Sequence, residues 1–170
     1  MNNSYTRKRA EWNDQVMSNS DHSKQVLRPI DYKDFQNYIE YIFDQLQLSE
    51  TTDYLLDVGC GNGLMLSKLK KNSSNIAGID YAEAMIEQAK KIVPEAYLYV
   101  TEAKKIPFPD STFDRVLCYS ISHYFPSDDY IYQAIDEIIR VCKDGAIILL
   151  GDILDQKFEK EIKDASNKSI

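Results

Sequence analysis

The stretch Leu55-Leu56-Asp57-Val58-Gly59-Cys60-Gly61-Asn62-Gly63 constrains this chain more than any other. A short apolar run ends in an acidic residue and three alternating glycines, and a helical pattern follows. A chain leaving a strand for a helix must turn tightly beneath any ligand held there. Gly59 has no side chain to collide with such a ligand, Gly61 allows close backbone approach, and Gly63 allows close helix–strand packing. The start of the helix adds free N–H groups. The spacing is Gly-x-Gly-x-Gly rather than the stricter dinucleotide pattern Gly-x-Gly-x-x-Gly. No Lys-Ser or Lys-Thr follows to make a phosphate-gripping loop. Asp57, beside the glycines, disfavours a bare pyrophosphate and suits a ligand carrying a cation. Asp80 closes the next apolar run, about 20 residues after the glycines begin, where a carboxylate accepts hydrogen bonds from two ribose hydroxyls.

The rest of the chain alternates strand and helix. Tyr54–Val58, Ile76–Ile79, Tyr97–Val100, Phe113–Cys118 and Ala146–Leu150 read as five strands. They are short and apolar without clean polar alternation, as expected when both faces of a sheet are covered. Helical patterns fall at 62–71, 82–92 and 128–141, the last capped by Ser127 with Ile131, Ile135, Ile138 and Ile139 as its expected inner face. Pro94 stops the second of these helices. Lys143-Asp144-Gly145 reads as a turn. Upstream, residues 32–48 carry Phe35, Tyr38, Ile39, Ile42, Phe43 and Leu46 on one helical face, with Asp31 as a cap. Residues 1–30 are polar and weakly periodic, with one helix expected near 7–18 and scattered anchors at Trp12, Val16, Val26 and Leu27. After Gly151 the chain turns charged, which suits a solvated helix or a disordered end.

Composition excludes several classes. At 170 residues the chain can form one domain with a substantial core. Its 27 acidic against 20 basic residues, a net charge of −7, argue against a surface that tracks nucleic-acid phosphates. Cys60, Cys118 and Cys142 form no closely spaced metal pair and no even set for disulfides, so buried thiols in a reducing compartment are expected and no metal is. No signal peptide or membrane-length apolar run is present, and a cytoplasmic location is expected. Twelve tyrosines are many for this length, and they suit either boundary core positions or a pocket with flat amphipathic walls.

On the glycine loop and the two carboxylates, the chain resembles the class I S-adenosylmethionine-dependent methyltransferases, and within them the small-molecule enzymes with the methyltransferase type 11 core. The resemblance covers roughly residues 53–151. It implies a doubly wound α/β fold with a mostly parallel Rossmann-like sheet, and S-adenosyl-L-methionine as cofactor. It implies that Leu56–Gly63, with Asp57, Gly59, Cys60, Gly61, Asn62 and Gly63, cradles the methionine part and that Asp80 holds the ribose. Tyr81 and Met85 then lie near the adenine or ribose, with Met85 equally suited to the core. The family often carries an Asp-Ala pair after strand 3 near the adenine amine; here it is Glu102-Ala103. Ile106-Pro107-Phe108-Pro109-Asp110-Ser111-Thr112-Phe113-Asp114 resembles the family's loop into strand 4. Beyond strand 4, where ligands collect in such folds, Tyr119 and Ser120 are candidate cofactor contacts, and His123 and Tyr124 candidate catalytic contacts to the acceptor. His123 is either a base with a near-neutral pKa or a loop-packing residue. Cys118, among apolar strand residues, reads as buried rather than nucleophilic, and Asp114 as structural.

The resembled fold has seven strands, and nothing apolar remains here for the last two. The expected organisation is an N-terminal helical segment over 1–50, with Tyr5, Trp12, Tyr32 and Tyr38 as a lid over the pocket; a cofactor-binding core over 51–154; and a charged tail over 155–170. Either the chain is a truncated form or fragment, or a second copy or another chain is expected to cover the edge of strand 5. The favoured activity is methyl transfer to a small-molecule acceptor, with no nucleic-acid or membrane partner. A cofactor-binding regulatory protein and an NAD- or nucleotide-sugar-binding enzyme are the alternatives.

Overall fold

The structure, a computed structural model, describes residues 3–26, 32–48, 54–70 and 75–153. The cap expected at Asp31 and the tail over 155–170 lie outside the described residues. The element order is α1 (Asn3–Ser18), α2 (His22–Val26), α3 (Tyr32–Leu46), β1 (Tyr54–Val58), α4 (Leu64–Leu69), β2 (Asn75–Asp80), α5 (Glu83–Ile92), β3 (Tyr97–Val100), β4 (Phe113–Tyr119), a 3-10 turn (Ser122–Tyr124), α6 (Asp128–Val141) and β5 (Cys142–Gly151). Among the described residues, no helix is long and apolar enough to cross a membrane.

The five strands form one parallel sheet in the order β3-β2-β1-β4-β5. The order reverses at β1, so the crevice outside the carboxyl ends of β1 and β4 is where such a sheet receives a ligand. Strand residues alternate between two cores. Leu56, Val58, Ile79, Phe113 and Val116 face α6 residues Tyr130, Ala134, Ile138 and Val141. Leu55, Ile76 and Leu117 face the other way, onto Ile42 and Leu46 of α3, Leu66 and Leu69 of α4 and Ile86 of α5. Apolar residues on both faces explain why the strands show no polar alternation.

Ser127 caps α6 as the sequence indicates, its hydroxyl accepting the Tyr130 N–H at 3.2 Å. The inner face differs. The buried residues are Tyr130, Ala134, Ile138 and Val141, whereas Ile139 is 59% exposed and Ile131 and Ile135 are half-buried. Apolar residues cover more than half of this helix's circumference. Contact with the sheet therefore selects the buried stripe, and periodicity alone does not. The turn expected at Lys143-Asp144-Gly145 is present, but as an irregularity inside β5 between the Phe113–Cys142 and Arg115–Ile147 pairs.

The Ile106–Asp110 loop is fastened to α6 by Arg140. Its guanidinium donates to Glu137 at 2.7 and 2.9 Å, to Asp110 at 2.7 Å and to the Ile106 and Phe108 carbonyls at 2.8 and 2.9 Å. Glu137 completes the clasp by accepting the Ile106 N–H at 2.8 Å. This loop closes the sheet face next to β3, where no long helix intervenes. Asp114 is structural as expected: its carboxylate accepts from the Tyr54 N–H at 3.0 Å and from Lys143 at 2.9 Å.

Candidate active site

A cavity of about 890 Å³ opens at the carboxyl ends of the central strands. This lies within the roughly 300–1,000 Å³ of small-molecule sites. Its walls include Asp57, Gly59, Cys60, Gly61, Asn62, Asp80, Tyr81, Met85, Ala103, Tyr119, Ser120 and Tyr124. Positions scattered over some 70 residues of chain thus meet at one place, because parallel strands deliver all their carboxyl ends to one edge.

The glycine loop is built as a turn over β2. The N–H groups of Gly59 and Cys60 both donate to the Ile79 carbonyl, at 2.8 and 3.0 Å, and Gly59 adopts φ +82°, where a side chain is strained. Gly63 serves packing: a Cβ there would lie 3.1 Å from the Ala89 Cβ on α5. Gly63 is outside the cavity wall, which separates its role from that of Gly59 and Gly61. The space beside Gly61 is taken by the chain itself, since a Cβ there would meet Val26 Cγ1 of α2 at 2.9 Å. Asn62 is fully buried and binds the arm as well. Its amide donates to the His22 carbonyl and to Gln25 Oε1, each at 2.8 Å, while its Oδ1 accepts the Leu64 N–H at 3.1 Å. Helix α4 therefore starts at Leu64 and not at Asn62.

The two acidic residues are both buried, Asp57 at 4% and Asp80 at 9% exposure. Asp80 organises the loop: it accepts the Gly61 N–H at 3.0 Å and the Ala82 N–H at 2.8 Å. A carboxylate has about four lone-pair sites, so Asp80 keeps acceptor capacity beyond these N–H groups. Burial raises the Asp80 pKa to about 6 against those hydrogen bonds, which lower it. Burial, and then the charge of Asp80, raise Asp57 to about 7. Both groups favour a neighbouring cation, which would return them toward the ionised form. Burial also pushes up the Cys60 thiol, and brings Cys118 to about 12, so both stay protonated and neither is a nucleophile.

Two expected contacts sit differently. Glu102 lies on the rim with its carboxylate 3.3 Å from the Lys104 ammonium. His123 is in the 3-10 turn, its ring packed 4.0 Å from that of Tyr124, and it is not among the described residues that line the cavity. Tyr124 takes the wall position. Among residues the sequence did not single out, Gln25 is 3% exposed and joins α2 to the glycine loop. Asp152, just past β5, lines the cavity and accepts a hydrogen bond from Ser120. The Gln25 signal was hidden in a polar arm without periodicity. Asp152 carries a sequence signal, an acid directly after an apolar strand, like Asp80.

The N-terminal arm roofs the cavity. Trp12 meets Tyr124 edge-on at 5.6 Å, and the Lys8 ammonium lies 5.2 Å above the Tyr124 ring. Asn13 accepts the Ala84 N–H at the start of α5. Farther out, the rings of Tyr38 on α3 and Tyr119 meet edge-on at 5.0 Å.

Comparison with known proteins gives a consistent result. Residues 56–150 match the family model described as a methyltransferase domain. The probable methyltransferase ltbC of Aspergillus luteorubrus is 34% identical over 120 residues, covering 63% of this chain and 42% of that protein. The chain thus spans less than half the length of the curated relatives it first matches. Among solved structures, phosphoethanolamine N-methyltransferase 1 of Haemonchus contortus shares the fold with TM-score 0.68 at 15% identity, over 82% of this chain and 30% of that one. The cyclase SpnF shares it with TM-score 0.58 at 24% identity, over 65% and 42%.

Proposed function

This chain belongs to the methyltransferase domain family, and from that premise we propose that it binds S-adenosyl-L-methionine and transfers its methyl group to a small molecule. The observation that carries this reading is the convergence of buried Asp57, buried Asp80 and the glycine turn on one cavity. The residues present suit such a ligand. Asp80 keeps acceptor capacity for a ribose hydroxyl, and Asp57 places negative charge beside a cradle for a cationic amino-acid moiety. The Tyr81 hydroxyl is buried in the wall with no hydrogen-bond partner, a polar atom that a ligand can satisfy. When bound, the donor supplies a methyl group on a sulfonium already activated for displacement. The protein's part is to align an acceptor with that methyl group and exclude water.

The outer cavity indicates the kind of acceptor. Glu11, Asp14 and Asp152 line it beside the rings of Phe35, Tyr38, Tyr119 and Tyr124. Its two lysines are already paired, Lys8 with Glu11 at 2.8 Å and Lys24 with Asp21 at 3.9 Å. A neutral or cationic acceptor with an apolar body fits this wall better than an anionic one. Tyr124 is the candidate acceptor contact on the wall, and His123, directly behind it, the candidate base. Titration calorimetry with S-adenosylmethionine and with NAD tests the donor, and a panel of small molecules with labelled donor tests transfer. Binding of NAD in place of S-adenosylmethionine overturns the reading. The shared fold of a protein described as a cyclase favours one second reading, cofactor binding without methyl transfer. It predicts tight donor binding with no turnover over the whole panel.

The raised carboxyls also predict a pH dependence. With pKa values raised to about 7 and about 6 in the folded chain, Asp57 and Asp80 bind protons more tightly than in the unfolded chain, whose carboxyls ionise near 3.8. The stability this lends is full below pH about 4 and is lost as pH rises to about 7. A cationic donor prefers the ionised carboxyls, so its binding releases protons. Donor affinity is therefore expected to rise between pH 5 and 8, by up to about tenfold per pH unit for each group that must ionise. Calorimetry in buffers of different ionisation enthalpy counts the released protons, and an affinity that is flat over this range contradicts the assignment.

A further inference from the structure

The place a nucleobase would take follows from the donor reading, on which this inference rests. With the ribose on Asp80, the base extends toward Tyr81 and the backbone of Ala103. The structure has a flat ring there already. Tyr5 of α1 stacks on Tyr81 with ring centres 5.0 Å apart and planes inclined by 29°. Its hydroxyl meets the Tyr130 hydroxyl at 2.9 Å. Tyr5 also packs against the core cluster that contains Ile79 and Ala103.

Helix α1 is held there lightly. None of its described side chains is fully buried, whereas α3 buries Phe35, Ile42 and Leu46. Its attachments are ring contacts, the Tyr5–Tyr130 and Asn13–Ala84 hydrogen bonds, and polar contacts with α2, where Gln15 donates to the Lys24 carbonyl and Gln25 to the Val16 carbonyl. The closed arrangement also leaves the Tyr81 hydroxyl buried without a partner, which weighs against it.

We propose that Tyr5 is an internal stand-in for the donor's nucleobase, so that α1 gates the donor site: the phenol ring fills the slot, and the donor enters only when α1 lifts. The open fraction then scales the apparent affinity. Removing one aromatic stack and one hydroxyl bond shifts such an equilibrium by about tenfold.

The chain carries its own reporter, because its single tryptophan, Trp12, sits on α1. The probe is S-adenosylhomocysteine, followed by calorimetry and by Trp12 fluorescence in stopped flow. Tyr5→Ala is expected to bind it about tenfold more tightly than the parent chain, and Tyr5→Phe, which keeps the ring and loses the hydroxyl bond, about threefold more tightly. In the parent chain the association rate should saturate with ligand concentration at the rate of α1 opening, and in Tyr5→Ala it should stay linear. Weaker binding by Tyr5→Ala overturns the gate, because Tyr5 would then be a wall that the base stacks on. Equal binding by both chains overturns the gate and leaves the donor reading standing. No binding by either chain overturns the donor reading and the gate together. If Tyr5→Ala fails to fold, Tyr5→Phe carries the test, and unchanged affinity and saturation in that variant overturn the gate.

Discussion

Asp80→Ala is expected to weaken S-adenosylhomocysteine binding by about 100-fold, close to 2.7 kcal/mol, as measured by titration calorimetry at pH 8. A hydrogen bond to a charged group is worth roughly 1.5–3 kcal/mol, and the ribose would lose at least one of them, offset in part by water in the vacated space. The same substitution strips the Gly61 and Ala82 N–H groups of their acceptor, so the turn beneath the methionine moiety loosens as well. Asp80→Asn separates these effects, since it keeps one acceptor oxygen and loses the charge. An Asp80→Ala affinity within threefold of the parent would place the ribose elsewhere.

The second large effect concerns stability. Phe113→Ala is expected to cost about 4 kcal/mol, within the range of roughly 3–5 kcal/mol for a buried phenylalanine. Phe113 is 2% exposed, begins β4 and meets Phe108 of the Ile106–Asp110 loop edge-on at 4.9 Å. Truncation leaves a cavity where that loop seats on the sheet. Because domains of this kind have only about 5–15 kcal/mol in total, the loss is a large share. Urea denaturation should show a lower midpoint with an unchanged slope. Phe113 stands at the end of β4 opposite the cavity, so donor affinity in the surviving folded fraction should hold. A cost below about 1 kcal/mol would mean that the ring does not fill this core.

Much of the fold was legible because its signals are local. The boundaries of β1 and β3 coincide with those read from the sequence, and the Ser127 cap and α6 limits follow from one polar residue ahead of an apolar period. The glycine turn and its two acids were legible for the same reason. Glycines at fixed spacing and an acid at the end of a strand act on their own backbone, so Asp57, Gly59, Gly61 and Asp80 reach the cavity by chain geometry. Resemblance to a family added Ala103, Tyr119, Ser120 and Tyr124, which spacing alone would not have chosen. Other features depended on packing between distant segments. Ile139 has the right period for burial and is exposed, since Tyr130 meets the sheet instead. Helix α2 has no apolar stripe, and its buried Gln25 is fixed by Asn62.

The sequence by itself determined a doubly wound parallel sheet with a glycine turn and two acids at its reversal point, because turns, caps and strand ends are set by neighbours along the chain. Only the tertiary structure decided which distant side chains meet around the cavity. Tyr5 and Tyr81 are far apart in sequence, and nothing in the weakly periodic arm announces their stacking. Such a contact exists only once the sheet has placed β2, the loop after β3 and α6 around one slot, and a light helix can then lay a ring into it.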